Sequence, residues 1–203
     1  MATTARVTMA ARTEPVGLAL TFDDGPDPRG TPAVLDALAQ AGARATFFVI
    51  GPCAERHPDL IRRTQADGHR IALHCDRHVR HTELGGAAIR RDTERALERL
   101  ARLDVQPSLW RVPWGVQAPE TEAVAAEFDL TLVGWDVDTH DWRGDSAEQM
   151  FAATREHLTA DTVVLAHDGI GPGARRADCA QTAAYVRLTA RHAAGARLAF
   201  TTL

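Results

Sequence analysis

The sequence predicts an α/β fold on a mostly parallel sheet, and three observations carry that prediction. Short apolar runs rich in Val, Ile, Leu and Phe recur along almost the whole chain, with amphipathic helical patterns between them. Seven such runs can be counted, at Val16 to Thr21, Ala45 to Ile50, Arg70 to Leu73, Ser108 to Arg111, Leu130 to Trp135, Thr162 to Ala166 and Arg197 to Thr201. No internal repeat or low-complexity linker divides them, and 203 residues suit one domain with a real core. Strands alternating with helices imply parallel pairing, in an open doubly wound sheet or in a closed barrel; periodicity does not choose between the two.

Taken in order, residues 1–14 read as a mobile tail and residues 15–203 as the single domain. The first strand runs into LALTFDDGP, residues 18–26, where Asp, Gly and Pro announce a turn. A helix follows with Thr31 as cap, Pro32 at its first position and Gly42 as terminator. Beyond the second and third strands, Ile89, Ala96, Leu97, Leu100 and Leu103 recur at helical spacing opposite a row of Arg and Glu, so Ala87 to Leu103 is a helix with a core face. After the fifth strand a helix opens at Ser146, with Gln149 placed to complete a capping box.

Composition narrows the function. The net charge of −4 comes from well-mixed signs without a basic stripe, which argues against nucleic acid as a partner. Three cysteines, Cys53, Cys75 and Cys179, form an odd set without metal-finger spacing and read as reduced thiols, Cys53 and Cys179 as packing residues. No segment approaches the roughly 20 apolar residues that span a bilayer, and the N-terminus lacks an apolar leader core. The expectation is a cytoplasmic protein as the sequence stands, or a secreted one if a leader has been removed. Oligomeric state is not encoded in any such pattern.

In either α/β architecture chemistry gathers at the carboxyl ends of the strands. Asp23 and Asp24 follow the first strand, His74 and His78 of HCDRH the third, and Arg111 of RVPWG the fourth. Asp138 and Asp141 of WDVDTHDW follow the fifth, and His167 of LAHD the sixth. Each is ordinary alone; their joint appearance on one rim points to a site. Adjacent carboxylates repel and gain little unless a cation sits beside them. If the loop after the third strand makes a helical turn, His74 and His78 project from one face. One aspartate would then complete a two-His, one-Asp set with open positions, as in catalytic rather than structural zinc sites. The other aspartate is free to act as a base on water, its ionised form favoured by Arg111.

TFDDGP, HCDRH, RVPWG, DTHDW and LAHD, in this order, resemble the five motifs of the NodB-type polysaccharide deacetylases, carbohydrate esterase family 4. The resemblance runs from about Val16 to the C-terminus. It implies a deformed (β/α) barrel of about seven strands and metal-assisted removal of acetyl groups from N-acetylated sugars, whether chitooligosaccharide, peptidoglycan-type sugar or sugar-bearing metabolite. One divalent metal ion is implied, zinc first, although imidazole and carboxylate suit Co, Ni and Fe as well. Residue by residue, the resemblance implies Asp24, His74 and His78 as ligands, Asp23 as general base and Arg111 as its orienting partner. His167 would be the general acid, tuned by Asp138. Pro113, Trp114, Trp142 and Leu165 would bind substrate: Leu165 at the acetyl methyl, the Trp114 backbone N–H at the oxyanion, Trp142 as a groove wall.

Cys75 departs from the family, which carries there a Ser or Thr whose hydroxyl braces the loop; a thiol is a weaker donor. His69, after Gly68, reads as structural, while His81 and His140 are candidate substrate contacts with solvated loop histidines as the alternative. The same site would serve an O-acetyl ester such as acetylxylan, or a non-sugar acylated metabolite. An inactive metal-bearing carbohydrate-binding protein would have lost the base or the acid, yet Asp23 and His167 are both present. With no export segment or added binding module in view, a soluble acetylated sugar or sugar-bearing metabolite is the expected substrate.

Overall fold

The computed structural model describes residues 17–203; the expected tail, residues 1–14, and the expected strand start at Val16 lie outside the described residues. The strands are β1 Ala19–Asp23, β2 Thr46–Ile50, β3 Arg70–Cys75, β4 Leu109–Trp110, β5 Thr131–Leu132, β6 Val137–Asp138 and β7 Val163–His167. The helices are α1 Thr31–Ala41, α2 Gly51–Arg56, α3 Pro58–Ala66, α4 Gly86–Ala101, α5 Thr121–Glu127, α6 Ala147–Thr154 and α7 Ala180–Ala196.

All the strand pairings are parallel, in the order β5-β4-β3-β2-β1-β7-β6. β1 lies in the middle, buried along its whole length as a parallel strand covered on both faces must be, so its carboxyl end opens at the centre of the rim. The edges of this order, β5 and β6, follow one another in the chain, joined by residues 133–136. Five steps from Leu132 to Val137 reach at most about 18 Å at roughly 3.3–3.6 Å per residue, so the two edges stand near each other without a ladder. The sheet is therefore a curled, deformed barrel short of full closure.

Seven strands are present, but not the seven expected. Arg197 to Thr201 supplies a single bridge, Leu18 to Phe200. Leu18 makes both backbone bonds of that bridge, its N–H donating to Ala199 O at 2.8 Å and its carbonyl accepting the Thr201 N–H at 3.1 Å. The additional strand is β6, cut from the WDVDTHDW stretch, where Asp136 exchanges hydrogen bonds with Val163: its N–H donates to Val163 O at 2.9 Å and its Oδ2 accepts the Val163 N–H at 2.8 Å.

Local signals mostly hold. Gly42 ends α1 at φ 60°, and Ser146 and Gln149 form the capping box of α6. Thr31 is the first residue of α1 rather than its cap, because its hydroxyl accepts the Asp27 N–H and donates to Asp168 Oδ2 at 2.5 Å. Among the described residues one core cluster, which includes Leu20, Phe22, Phe47, Leu73, Trp110 and Val164 from the sheet and Leu35, Ile89 and Val186 from the helices, joins the two. Full burial of side chains of this size contributes about 1.5–3 kcal/mol each. Among the described residues no helix is long and apolar enough to cross a membrane.

Candidate active site

At the end of β1, Asp23 is 4 % exposed and Asp24 turns the chain at φ 73°. The loop after β7 packs onto that turn so closely that a Cβ on Gly171 would overlap Asp24 Oδ2, so any larger residue there must displace that carboxylate. The next strand but one is irregular: between β2 and β3 the partner of successive residues jumps from Leu73 to Cys75, which makes His74 a bulge residue. His74 Nδ1–H donates to the Arg111 carbonyl at 2.6 Å, leaving Nε2 aimed at Asp24 Oδ1, 3.4 Å away. Trp110 Nε1–H donates to the His74 carbonyl at 2.9 Å and holds the bulge from the other side.

His78 Nε2 lies 3.3 Å from the same Asp24 oxygen. The chain between the two histidines makes a bend, not the expected helical turn, yet the rings meet with centroids 5.1 Å apart. Strand bulge and bend together do what a helical turn would have done. Among the described residues Asp24, His74 and His78 form the group of His, Cys, Asp or Glu able to share a cation. Asp24 Oδ1 is buried with no hydrogen-bond partner there. A charge-assisted N–H···O bond runs about 2.7–2.9 Å, whereas two ligands each about 2.0–2.2 Å from a tetrahedral cation stand about 3.4 Å apart. The spacing thus fits a shared divalent cation. Burial would raise the Asp24 pKa, but the two imidazoles hold its carboxyl well below the usual range.

Arg111 crosses the barrel interior wholly buried. Its Nη1 donates to Asp23 Oδ1 at 2.9 Å and Thr21 Oγ1 at 2.7 Å, and its Nη2 to the Gly134 carbonyl at 2.9 Å. The guanidinium lies 4.2 Å over the Phe48 ring. Burial lowers its pKa in spite of the Asp23 carboxylate.

Asp141, not Asp138, stands behind His167. Asp141 Oδ1 accepts the His167 Nδ1–H at 2.7 Å, and Oδ2 accepts the His167 backbone N–H at 3.0 Å and the Thr182 hydroxyl at 2.7 Å. The chain turns at His140, φ 56°, which rolls Asp141 beneath β7. Asp138 instead accepts the His140 N–H at 2.7 Å and faces His140 Nδ1 at 2.9 Å. Burial would lower the His167 pKa, but Asp141 overrides it and pushes it up to about 9. The same contact outweighs the burial of Asp141 and brings its carboxyl down to about 2.

Arg176 was not among the expected residues. Its Nη1 lies 3.3 Å from Asp141 Oδ2, and its Nη2 donates to the carbonyls of His167 and Gly169 at 3.0 and 3.1 Å. Nothing in GARRAD sets it apart from exposed Arg175. Asp168, next to His167, is buried against Thr31, and burial pushes its carboxyl up to about 7.

These groups surround a cavity of about 270 Å³ that Asp23, Asp24, His78 and His167 reach directly. Trp114, Trp142 and Leu165 line it, as does Asp138. Pro113 does not: it is buried beneath the turn that carries Trp114. Trp114 is 40 % exposed, edge-on to His78 at 5.1 Å and under the Arg80 guanidinium at 4.3 Å.

Neither extra histidine borders this cavity. His81 is buried, with Nδ1 3.0 Å from the Thr121 hydroxyl and its ring 5.3 Å from Trp110; burial, then the charge of His74, lowers its pKa to about 4. His140 borders a second cavity of about 320 Å³ on the far side of Asp138. His69 is structural, its Nδ1 accepting the Ala45 N–H at 3.2 Å. Cys75 is buried and burial raises its thiol well above the usual value, which leaves it neutral.

Three groups able to share a cation, flanked by an arginine-paired aspartate on one side and a carboxylate-backed histidine on the other, are the chemistry a hydrolase needs. The family model described as polysaccharide deacetylase matches residues 10–133. The chain is 37 % identical over 160 residues to the chitooligosaccharide deacetylase of Bradyrhizobium sp. (strain ANU 289), covering 77 % of this chain and 73 % of that one. It is 36 % identical over 157 residues to a peptidoglycan-N-acetylglucosamine deacetylase of Bacillus cereus, covering 76 % of this chain and 56 % of that one. The solved family 4 carbohydrate esterase from Streptomyces lividans, in complex with acetate, superposes with a TM-score of 0.82 at 33 % identity, over 91 % of each chain. This protein belongs to the polysaccharide deacetylases of carbohydrate esterase family 4 and is a deacetylase-type hydrolase.

Proposed function

We propose that this protein hydrolyses the acetamide of an N-acetylated amino sugar, releasing acetate and the free amine. The observation that supports it best is that Asp23 with Arg111, and His167 with Asp141, each present a charged group to the one cavity that Asp24 and His78 also reach. Asp24, His74 and His78 would hold a divalent cation, zinc by donor chemistry with Co, Ni or Fe as alternatives, which when bound supplies Lewis acidity at the carbonyl oxygen and at water.

The protein's own groups supply the rest. Asp23 takes a proton from the attacking water as the water oxygen bonds to the carbonyl carbon, and Arg111, 2.9 Å from Asp23 Oδ1, holds that carboxylate in place. The Trp114 backbone N–H serves the oxygen on which charge develops. His167, cationic below about pH 9, gives its proton to the nitrogen as the C–N bond breaks, because an amide ion is too poor a leaving group to depart unprotonated. Asp141 holds the proton on Nδ1, so Nε2 is the donor toward the cavity. Leu165 receives the methyl, and Trp114 and Trp142 wall the sugar. Residues 15–203 would act as the one catalytic unit, in keeping with the one core cluster found among the described residues 17–203.

Acetate release across chitooligosaccharides, peptidoglycan fragments, free N-acetyl amino sugars and acetylxylan, with and without a chelator, tests this reading. Chelator-sensitive release from the amide substrates is expected. Release from acetylxylan alone would overturn it.

A further inference from the structure

The two histidines of the cation site are held in different ways. His74 has a ring partner, the Arg111 carbonyl, whereas His78 Nδ1 is buried with no hydrogen-bond partner among the described residues. His78 also lies beyond the end of β3, in backbone without a ladder, so its position depends on the bend between the two histidines. That bend is gripped from behind by α4. Asp92, 7 % exposed, accepts the backbone N–H of Asp76 at 2.9 Å and that of Arg77 at 3.1 Å. One turn pair further on, Arg99 Nε donates to Asp76 Oδ1 at 2.8 Å.

We propose that Asp92 is the positioning residue of the cation site: its carboxylate, by binding two successive N–H groups of the Asp76–Arg77 bend, sets the place of His78 relative to His74 and Asp24. Charge-assisted bonds from a carboxylate to backbone N–H groups are about twice as strong as neutral ones and tolerate little displacement of the bend. Cys75, beside it, is a neutral buried thiol and a weak donor, so the bracing comes from the helix rather than from the loop itself. Asp92 touches neither substrate nor cation.

The proposal rests on the cation reading of Asp24, His74 and His78, and its test separates the two. Zn²⁺ is titrated into metal-free protein against a competing chelator, and no binding by the unsubstituted protein would overturn both. Given binding, Asp92→Ala should weaken affinity about 10- to 100-fold, the range for loss of a group that orients a ligand, and Asp92→Asn, which keeps the shape and one acceptor oxygen, should weaken it less. Thr93→Ala is the control for damage to α4, since the Thr93 hydroxyl bonds back to the Ile89 carbonyl within the helix; it should bind Zn²⁺ as the unsubstituted protein does. Acetate release by the Asp92 variants at saturating Zn²⁺ should return close to normal. Affinity within about twofold of normal in the Asp92 variants, or an equal loss in Thr93→Ala, would overturn the proposal. If Asp92→Ala does not fold, Asp92→Asn decides by the same criterion.

Discussion

Asp141 Oδ1 lies 2.7 Å from His167 Nδ1, while Asp138, three positions earlier on the same segment, is paired with His140. His167, the proposed general acid, thus has a fully buried carboxylate partner whose removal can be read in two ways.

Asp141→Asn should lower activity by roughly 100- to 10,000-fold, the usual worth of a positioned acid or base, and move the alkaline limb of the pH–rate profile down. The sign follows from what is lost: Asp141 is the foremost of the groups that raise the His167 pKa against burial, ahead of Asp24 and Asp23, so without its charge the protonated fraction falls at mildly alkaline pH. In metal-free protein the raised pKa contributes stability that is fully present below the ordinary value of 6.5 and is lost as pH rises toward about 9. Urea unfolding across that window should show the decline in the native chain and a flatter curve in Asp141→Asn. Asp138→Asn should leave both profiles in place.

Asp23→Asn should retain metal and lose activity by about 100- to 10,000-fold, since the amide keeps the shape but cannot take a proton. Arg111→Met should be less stable by about 3–5 kcal/mol, because it strands the Asp23 carboxylate in a buried site. Denaturant midpoints alongside acetate release separate the two effects.

His74→Ala combined with His78→Ala should abolish metal binding, against about one equivalent in the native protein. Unchanged metal content by elemental analysis would mean that the cation sits elsewhere.

Gly171→Ala places a methyl onto Asp24 Oδ2, so metal affinity should fall while the fold persists. Gly85→Ala, where an added Cβ meets nothing within 4 Å, should leave the affinity untouched. A chelator-competition titration of both variants measures the difference.

Much of this was legible in the chain because it is local chemistry. Two aspartates after an apolar strand, two histidines four apart and a histidine closing LAHD can be read without tertiary knowledge, since strand ends collect the rim of a parallel sheet. The capping box at Ser146 and the terminator at Gly42 are equally local. The curled barrel came from the motif resemblance, because periodicity serves an open sheet as well as a closed one.

What only the tertiary structure decided was which of several chemically equal groups meet. Asp138 and Asp141 are both aspartates in one loop; the pairing of β6 with β7 and the turn at His140 select Asp141 for His167. Arg176 and Arg175 are adjacent arginines, yet one clamps Asp141 and the other is exposed. His81 carries the same imidazole as His78 but lies under Trp110, away from the cavity. Asp92, on a face that periodicity reads only as charged helix surface, reaches the bend because α4 packs behind β3. The sequence by itself determined which reactive groups exist and, Asp138 and Asp141 on the unforeseen β6 segment apart, which strand ends carry them, since those depend on neighbours in the chain. Their partners depend on strand register, a bulge at His74 and helix packing, which bring together residues far apart in the chain and leave no local trace.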